Sequence, residues 1–284
     1  MVSAIKPFRI GVMAGGLKQP GPAAAADAAR RVGAQCLCVS NGRPAGMSAA
    51  QWAAAWLDAA QAADIAIVSA VTGFPQEDYS SIAAIHRTGG LVPDEPAQAN
   101  IANVRDAVEF ARCLGVDLLT FHAGFIPEDA ADPVFGKLRD RLARCADDAA
   151  RLGVRIGLES GQESAAALKQ FLDALGRPNV GVNFDPANMI LYGRQNPIDA
   201  VAVLAGAEKI FQVHAKDGTW SSQPGKEWGK EVPLGTGDVN FPKFLAALSA
   251  SGFAGNLIIE REAGEQPLAD IRAGVAFLRG LCGR

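Results

Sequence analysis

The chain has 284 residues, of which 49% are hydrophobic and 20% charged, and its formal net charge is −3. That apolar content excludes a disordered chain and is enough to bury a large core. The near-neutral balance provides no field for binding nucleic acid or an anionic membrane surface.

No stretch reaches the ~18 continuous apolar residues of a membrane helix. The first ten residues carry Lys6 and Arg9 and hold no apolar run of the secretory kind. The expectation is a cytoplasmic protein. The cysteines, Cys36, Cys38, Cys113, Cys145 and Cys282, fit neither a disulfide framework nor a zinc ribbon. They are expected to be reduced packing residues.

Taken in chain order, short apolar runs alternate with alanine-rich amphipathic stretches. A strand over 8–14 leads to a helix over 23–32 that stops before Gly33. A strand over 34–40 leads to a helix over 48–63, with Ser48 as its N-cap. A strand over 65–72 enters a long loop, 73–96, with a short helix at 79–87. A helix over 97–114 follows and stops before Gly115. The fourth strand, 118–123, precedes a helix opened by Asp132-Pro133 and running to Leu152. The fifth, 155–160, precedes a helix over 163–175. The sixth, 180–185, precedes a short helix opened by Asn196-Pro197 and ending near Gly206. The seventh, 209–216, enters a polar loop over 217–240 and then a helix over 241–251. The eighth, 256–262, is followed by a helix over 267–281. Proline near helix starts and glycine just past their ends recur throughout.

Near-continuous apolar strands of this kind belong to a parallel sheet covered on both faces. Eight βα units in this length fit an α/β fold of one closed (β/α)8 TIM barrel, with residues 1–284 as one domain. No Gly-x-Gly-x-x-Gly follows the first strand, which argues against a dinucleotide fold.

Barrel active sites lie at the carboxyl ends of the strands. Collected there are His122 on strand 4, Glu159 on strand 5, Asp185 on strand 6, His214, Lys216 and Asp217 on strand 7, and Glu260 on strand 8. Four consecutive strands thus supply Glu, Asp, His and Glu to one rim. Crowded carboxylates repel at low dielectric, and one divalent cation removes that repulsion. Three carboxylates and one imidazole favour Mn²⁺ or Mg²⁺ over a closed thiolate zinc site, with Co²⁺ or Zn²⁺ as substitutes. Glu159, Asp185, His214 and Glu260 are the expected ligands.

These motifs, Glu159-Ser160, Asn183-Phe184-Asp185-Pro186, His214-Ala215-Lys216-Asp217 and Ile259-Glu260-Arg261-Glu262, resemble the xylose-isomerase-like barrels, in particular the sugar isomerase/epimerase branch that includes ketose 3-epimerases. The turn over 235–241 resembles that branch's glycine-rich turn. The resemblance implies that Glu159 and Glu260 are a metal-bound acid/base pair. One removes the proton α to a carbonyl and the other returns it, through an enediolate. Asp185 and His214 map to the remaining ligands. Two departures stand out. Asn188 occupies the position of a substrate-contacting histidine, and lysines (Lys216, Lys226, Lys230) replace an expected arginine. Both point away from the usual ketohexose.

Further substrate contacts are expected from His122, Asn188, Lys216 and Trp220, with Trp228 as a second loop aromatic. Lys216 lies on the same side of its strand as His214 and is placed either to neutralise an enediolate or to pair with Glu260. His86 is expected to be a solvated loop residue, Glu262 a peripheral ion-pair partner, and Trp52 and Trp56 packing residues. Gly235-Thr236-Gly237 has no accompanying arginine cluster, so phosphorylated substrates are disfavoured.

The expected activity is a metal-dependent sugar isomerase or epimerase acting on a small-molecule carbohydrate. The alternative is a lyase or dehydratase on a keto-inositol or 3-keto-glycoside, which needs the same groups. A non-catalytic sugar binder is disfavoured because both glutamates are present. Three histidines in all are too few for the three-metal site of an apurinic endonuclease. Relatives in the resembled family suggest a homo-oligomer by analogy.

Overall fold

The computed structural model describes residues 8–204 and 209–283. Eight parallel strands close into a barrel: β1 (Arg9–Met13), β2 (Cys36–Ser40), β3 (Ala66–Val71), β4 (Leu118–Phe121), β5 (Arg155–Glu159), β6 (Val180–Phe184), β7 (Ile210–Ala215) and, as the last barrel strand, Asn256–Ile259. That last strand pairs with both β7 and β1, which closes the ring. All eight expected strands are present, each trimmed at one or both ends.

The helices form the outer layer. They are α1 (Gly21–Val32), α2 (Ala49–Ala63), α3 (Ile82–Thr88), α4 (Ala97–Leu114), α5 (Pro133–Arg151), α6 (Ala165–Leu175), α7 (Pro186–Leu191), α8 (Pro197–Leu204), α9 (Phe241–Ala250) and α10 (Pro267–Leu281). Local chemistry fixes their ends. Ser48 and Gln51 form a reciprocal capping box at α2. Asp132 caps α5, with Pro133 at its first position. The helix expected from Glu163 begins two residues later because Ser164 takes the cap. The expected stop of α8 near Gly206 lies outside the described residues.

One helix and one pair of strands were not anticipated. α7 has only six residues, too few to show a helical period. The loop over 217–240 holds a small antiparallel pair, β8 (Asp217–Thr219) with β9 (Lys230–Val232). The last barrel strand is accordingly β10.

Strand alternation sorts the side chains. Val182, Phe184 and Val213 point outward into the layer shared with the helices, which holds most of the core. Burying one such side chain fully is worth about 1.5–3 kcal/mol. Inside the barrel, one side is apolar, with Met13, Cys36, Cys38 and Ile258 packed together. The other side is polar, with Ser69, Thr120, Asn183 and Gln212 fully buried. Among the described residues none of the five cysteines is in a disulfide, and all but Cys113 are buried. Trp52 and Trp56 pack edge to face, as expected of packing residues. Among the described residues no helix is long and apolar enough to cross a membrane.

Candidate metal centre and active site

The carboxyl ends of β5, β6, β7 and β10 meet at one point. Glu159 ends β5, Asp185 follows β6 directly, His214 is the penultimate residue of β7, and Glu260 follows β10. Register aligns them: Glu159 stands level with Asn183, and His214 level with Ile258. Each of the four offers one ligand atom, and those atoms all lie within 4.8 Å of one another. All four residues are buried.

His214 sits between the two glutamates. Its Nδ1 is 3.4 Å from Glu159 Oε1 and 3.4 Å from Glu260 Oε2. Asp185 divides its work. Oδ1 accepts from the Asn188 N–H at 2.9 Å and so caps α7. Oδ2 is buried, turned to the cluster, and has no hydrogen-bond partner among the described residues; the same holds for His214 Nδ1. Buried polar atoms are rarely left without a partner. Two such atoms, each of them in the four-residue cluster, fit a divalent cation that would supply the missing partner. The donor set of three carboxylates and one imidazole suits a hard or borderline ion.

The electrostatics follow from crowding. Burial raises Asp185 to about 7, because its charged form is cut off from water. Burial also opposes ionisation of Glu159, but the imidazoles of His122 and His214 outweigh it and hold this carboxyl well below the usual range. For Glu260 the same burial is overcome mainly by Lys216, and its value falls to about 2. Burial works against charge on His122, yet Glu159 at 3.4 Å prevails and lifts it to about 9.

Three neighbours hold the two glutamates. Lys216 Nζ is 3.1 Å from Glu260 Oε2 and 3.9 Å from Asp185 Oδ2, and it also pairs with Glu262. Of the two roles expected of Lys216, the pairing with Glu260 is present, and the Glu262 side chain completes it at the rim. His122 Nε2 faces Glu159 Oε1. Asn188 Nδ2 donates to the same oxygen at 3.0 Å. Asn188 reaches Glu159 because Gly161 clears the way: a Cβ there would lie 2.3 Å from the Asn188 Cβ, and its φ of +126° favours glycine as well.

A cavity of about 500 Å³ opens over the cluster. Tyr79, His122, Asn188, Tyr192, Trp228 and Glu262 are among its lining residues. Trp220, expected as a substrate contact, does not line it. That side chain is 37% exposed, while its backbone N–H donates to Asp238. The β8–β9 pair explains the difference, because it turns Trp228 inward, with its ring 4.6 Å from that of Tyr192. The buried Trp228 indole N–H has no hydrogen-bond partner in the protein among the described residues. Tyr79 and Tyr192 were not singled out from the sequence, since nothing local marks which loop aromatics face inward. His86 lies away from the cluster, stacked on Phe125 at 4.6 Å on a separate cavity.

Asp217 builds the loop beside the site. Its carboxylate accepts from the backbone N–H groups of Gly218, Gly235, Gly237 and Val239. Gly237 must be a glycine for this contact, as a Cβ would stand 2.3 Å from Asp217 Oδ1.

Comparison with known proteins identifies the fold family. Residues 26–281 match the family described as xylose isomerase-like TIM barrel. L-ribulose-5-phosphate 3-epimerase UlaE of Salmonella paratyphi C is 27% identical over 225 residues, covering 76% of this chain and 76% of its own. A xylose isomerase domain protein from Planctomyces limnophilus is 33% identical, with a TM-score of 0.87 over 98% of this chain and 97% of its own. A xylose isomerase-like TIM barrel protein from Mycobacterium smegmatis, solved in complex with magnesium, shares the fold. It is 17% identical, with a TM-score of 0.72 over 99% of this chain and 98% of its own.

Proposed function

The chain belongs to the xylose isomerase-like TIM-barrel family, and from that premise we propose that it is a divalent-metal-dependent sugar isomerase or epimerase. The observation that carries this reading is the pair of buried glutamates on either side of His214, beside two buried ligand atoms that lack partners. Glu159, Asp185, His214 and Glu260 would hold the cation. Mn²⁺ is the proposed ion, and Mg²⁺, found with the mycobacterial relative, is the nearest substitute. Such an ion supplies Lewis-acid polarisation of a carbonyl, which makes the adjacent C–H acidic enough for a carboxylate to remove its proton.

The protein groups do the rest. One of Glu159 and Glu260 takes the α-proton, and the other delivers a proton to the opposite face. Lys216 keeps Glu260 ionised and ready to accept. His122 and Asn188 aim Glu159. The aromatic wall of Tyr192 and Trp228 offers stacking faces and an indole donor to a polyol.

The substrate is an unphosphorylated carbohydrate in this reading. The cavity lining includes four carboxylates (Glu77, Glu159, Glu260 and Glu262), Lys216 and His122, each already paired with a glutamate, and no arginine among the described residues. That lining opposes a phosphate, although the Salmonella relative is named for a phosphorylated ketose. Five cysteines without a disulfide among the described residues suit a reducing cytoplasm.

The deciding experiment incubates the protein with Mn²⁺ and a panel of ketoses, keto-inositols and 3-keto-glycosides in deuterated water. Deuterium entering the α position, with an epimer or isomer as product, supports the proposal. Exchange with an eliminated product assigns a lyase instead. No exchange with any member of the panel overturns the reading.

A further inference from the structure

A chain of buried polar side chains runs across the barrel directly below the ligand cluster. Ser69 Oγ donates to Gln212 Oε1 at 2.8 Å, Gln212 Nε2 donates to Asn183 Oδ1 at 3.3 Å, and Asn183 Nδ2 meets His214 Nε2 at 3.0 Å. Ser69, Gln212, Asn183 and His214 are all fully buried. The other half of the barrel interior is apolar, so a polar layer here is not the default filling of the fold. Burying two amides and a hydroxyl is costly unless each finds partners, and these partner one another.

The direction of the chain and the tautomer of His214 are tied together. With Asn183 Nδ2 on Nε2, that nitrogen accepts, and the imidazole proton sits on Nδ1, facing Glu159 and Glu260. A cation at the cluster needs the Nδ1 lone pair, so the proton must move to Nε2, and Nε2 then needs an acceptor. Asn183 can provide one by turning its amide, which brings Oδ1 to His214 and Nδ2 to Gln212. Gln212 turns likewise and gives its NH₂ to Ser69. The chain can run either way because its interior members are primary amides and its end is a hydroxyl, which both donates and accepts. Gly157 leaves room for the layer, since a Cβ there would press on Asn183 and on Thr120 at 3.3–3.4 Å.

We propose that Ser69, Gln212 and Asn183 form a polarity-reversible hydrogen-bond relay that selects the His214 tautomer able to ligate a divalent cation through Nδ1. Asn183 and Gln212 are positioning residues, acting on the cation only through His214. The relay rests on the cluster being a divalent-metal site. Partners of this kind on metal-bound histidines typically contribute about 10–100-fold in metal affinity.

The test measures Mn²⁺ affinity by counting free ion with electron paramagnetic resonance, for the wild-type chain and for Asn183→Ala, Gln212→Met and Asn183→Asp, each checked for folding. The histidine tautomers are followed by ¹⁵N NMR with diamagnetic Mg²⁺. Only three histidines contribute signals. Asn183→Ala is expected to lose about 10-fold or more in affinity, and Gln212→Met is expected to show a smaller loss of the same sign. Asn183→Asp is expected to hold wild-type affinity within a few-fold, because its carboxylate accepts from Nε2–H. Mg²⁺ is expected to shift wild-type His214 to the Nε2–H form. Equal affinity in wild type, Asn183→Ala and Gln212→Met overturns the relay and leaves the metal site standing, as does a His214 that keeps Nδ1–H when Mg²⁺ binds. A wild-type chain that binds no Mn²⁺ overturns the metal reading itself, and the relay with it.

Discussion

Asn188 Nδ2 donates to Glu159 Oε1 across 3.0 Å, from a helix that Asp185 caps with its other oxygen. One short helix therefore links two of the four candidate ligands. A titratable side chain in place of Asn188 would change the charge around Glu159, whereas the amide only steers it.

Asn188→Ala is expected to slow α-proton exchange by roughly 10–100-fold, the value of a hydrogen bond to a charged group at about 1.5–3 kcal/mol. Asn188→His restores a donor and is expected to recover part of the rate. Deuterium incorporation, followed by mass spectrometry, reads both variants. An unchanged rate in the alanine variant would remove Asn188 from the machinery.

Glu260→Gln keeps an oxygen ligand but loses the base. Exchange is expected to fall by about 10²–10⁴-fold, the usual contribution of a general base. Mn²⁺ binding, read by calorimetry, is expected to persist. Persistent exchange in this variant would contradict the assigned role.

Chelation is expected to lower the melting temperature. A ligand at 100 times its Kd stabilises the folded state by about 2.7 kcal/mol, which corresponds to several degrees for a chain of this size. Thermal melts in EDTA, then with Mn²⁺ restored, check this. Identical melts in both conditions would count against a bound divalent ion.

Glu163 gives a pH signature away from the cluster. Burial lifts its carboxyl to about 8, and its Oε1 has no hydrogen-bond partner among the described residues. The unfolded chain ionises this group near 4.3. Between those values the folded state holds a proton that the unfolded state has lost. Glu163 therefore contributes stability at low pH that disappears as pH rises towards 8. Melting temperature is expected to decline from pH 5 to 9 in the wild type, with a flatter profile in Glu163→Gln. Parallel profiles would show that the carboxyl is not the source.

Asp217→Ala would strip acceptors from four backbone N–H groups, those of Gly218 in β8 and of Gly235, Gly237 and Val239 in the turn between β9 and α9. A loss on the order of 3 kcal/mol is expected, since two of these contacts, to Gly218 and Val239, are buried and donors left unpaired there are expensive. Asp217→Asn keeps one acceptor oxygen and is expected to recover about half. Urea midpoints at constant slope provide the measurement. A loss below about 0.5 kcal/mol, the range of ordinary surface changes, would show that the loop does not depend on this carboxylate.

The amino-acid sequence by itself determined the eight strands and the rim on which the chemistry sits. Period-two alternation within short apolar runs decides which residues face inward, and a polar residue directly after such a run must emerge at the strand end. That local rule places Glu159, Asp185, His214 and Glu260 each at the same end of its own strand; the barrel pairing of β5, β6, β7 and β10 brings them together. Tertiary structure alone decided which groups surround them. Trp228, and not Trp220, meets the cavity because β8 pairs with β9 across ten intervening residues. The contact of Asn188 with Glu159 depends on a close approach at Gly161. Ser69 reaches Gln212 across 143 positions of chain only because the barrel closes. Strand periodicity is set by neighbouring residues, whereas these contacts are set by how distant segments pack. A single sequence records the first directly and the second only through the finished fold.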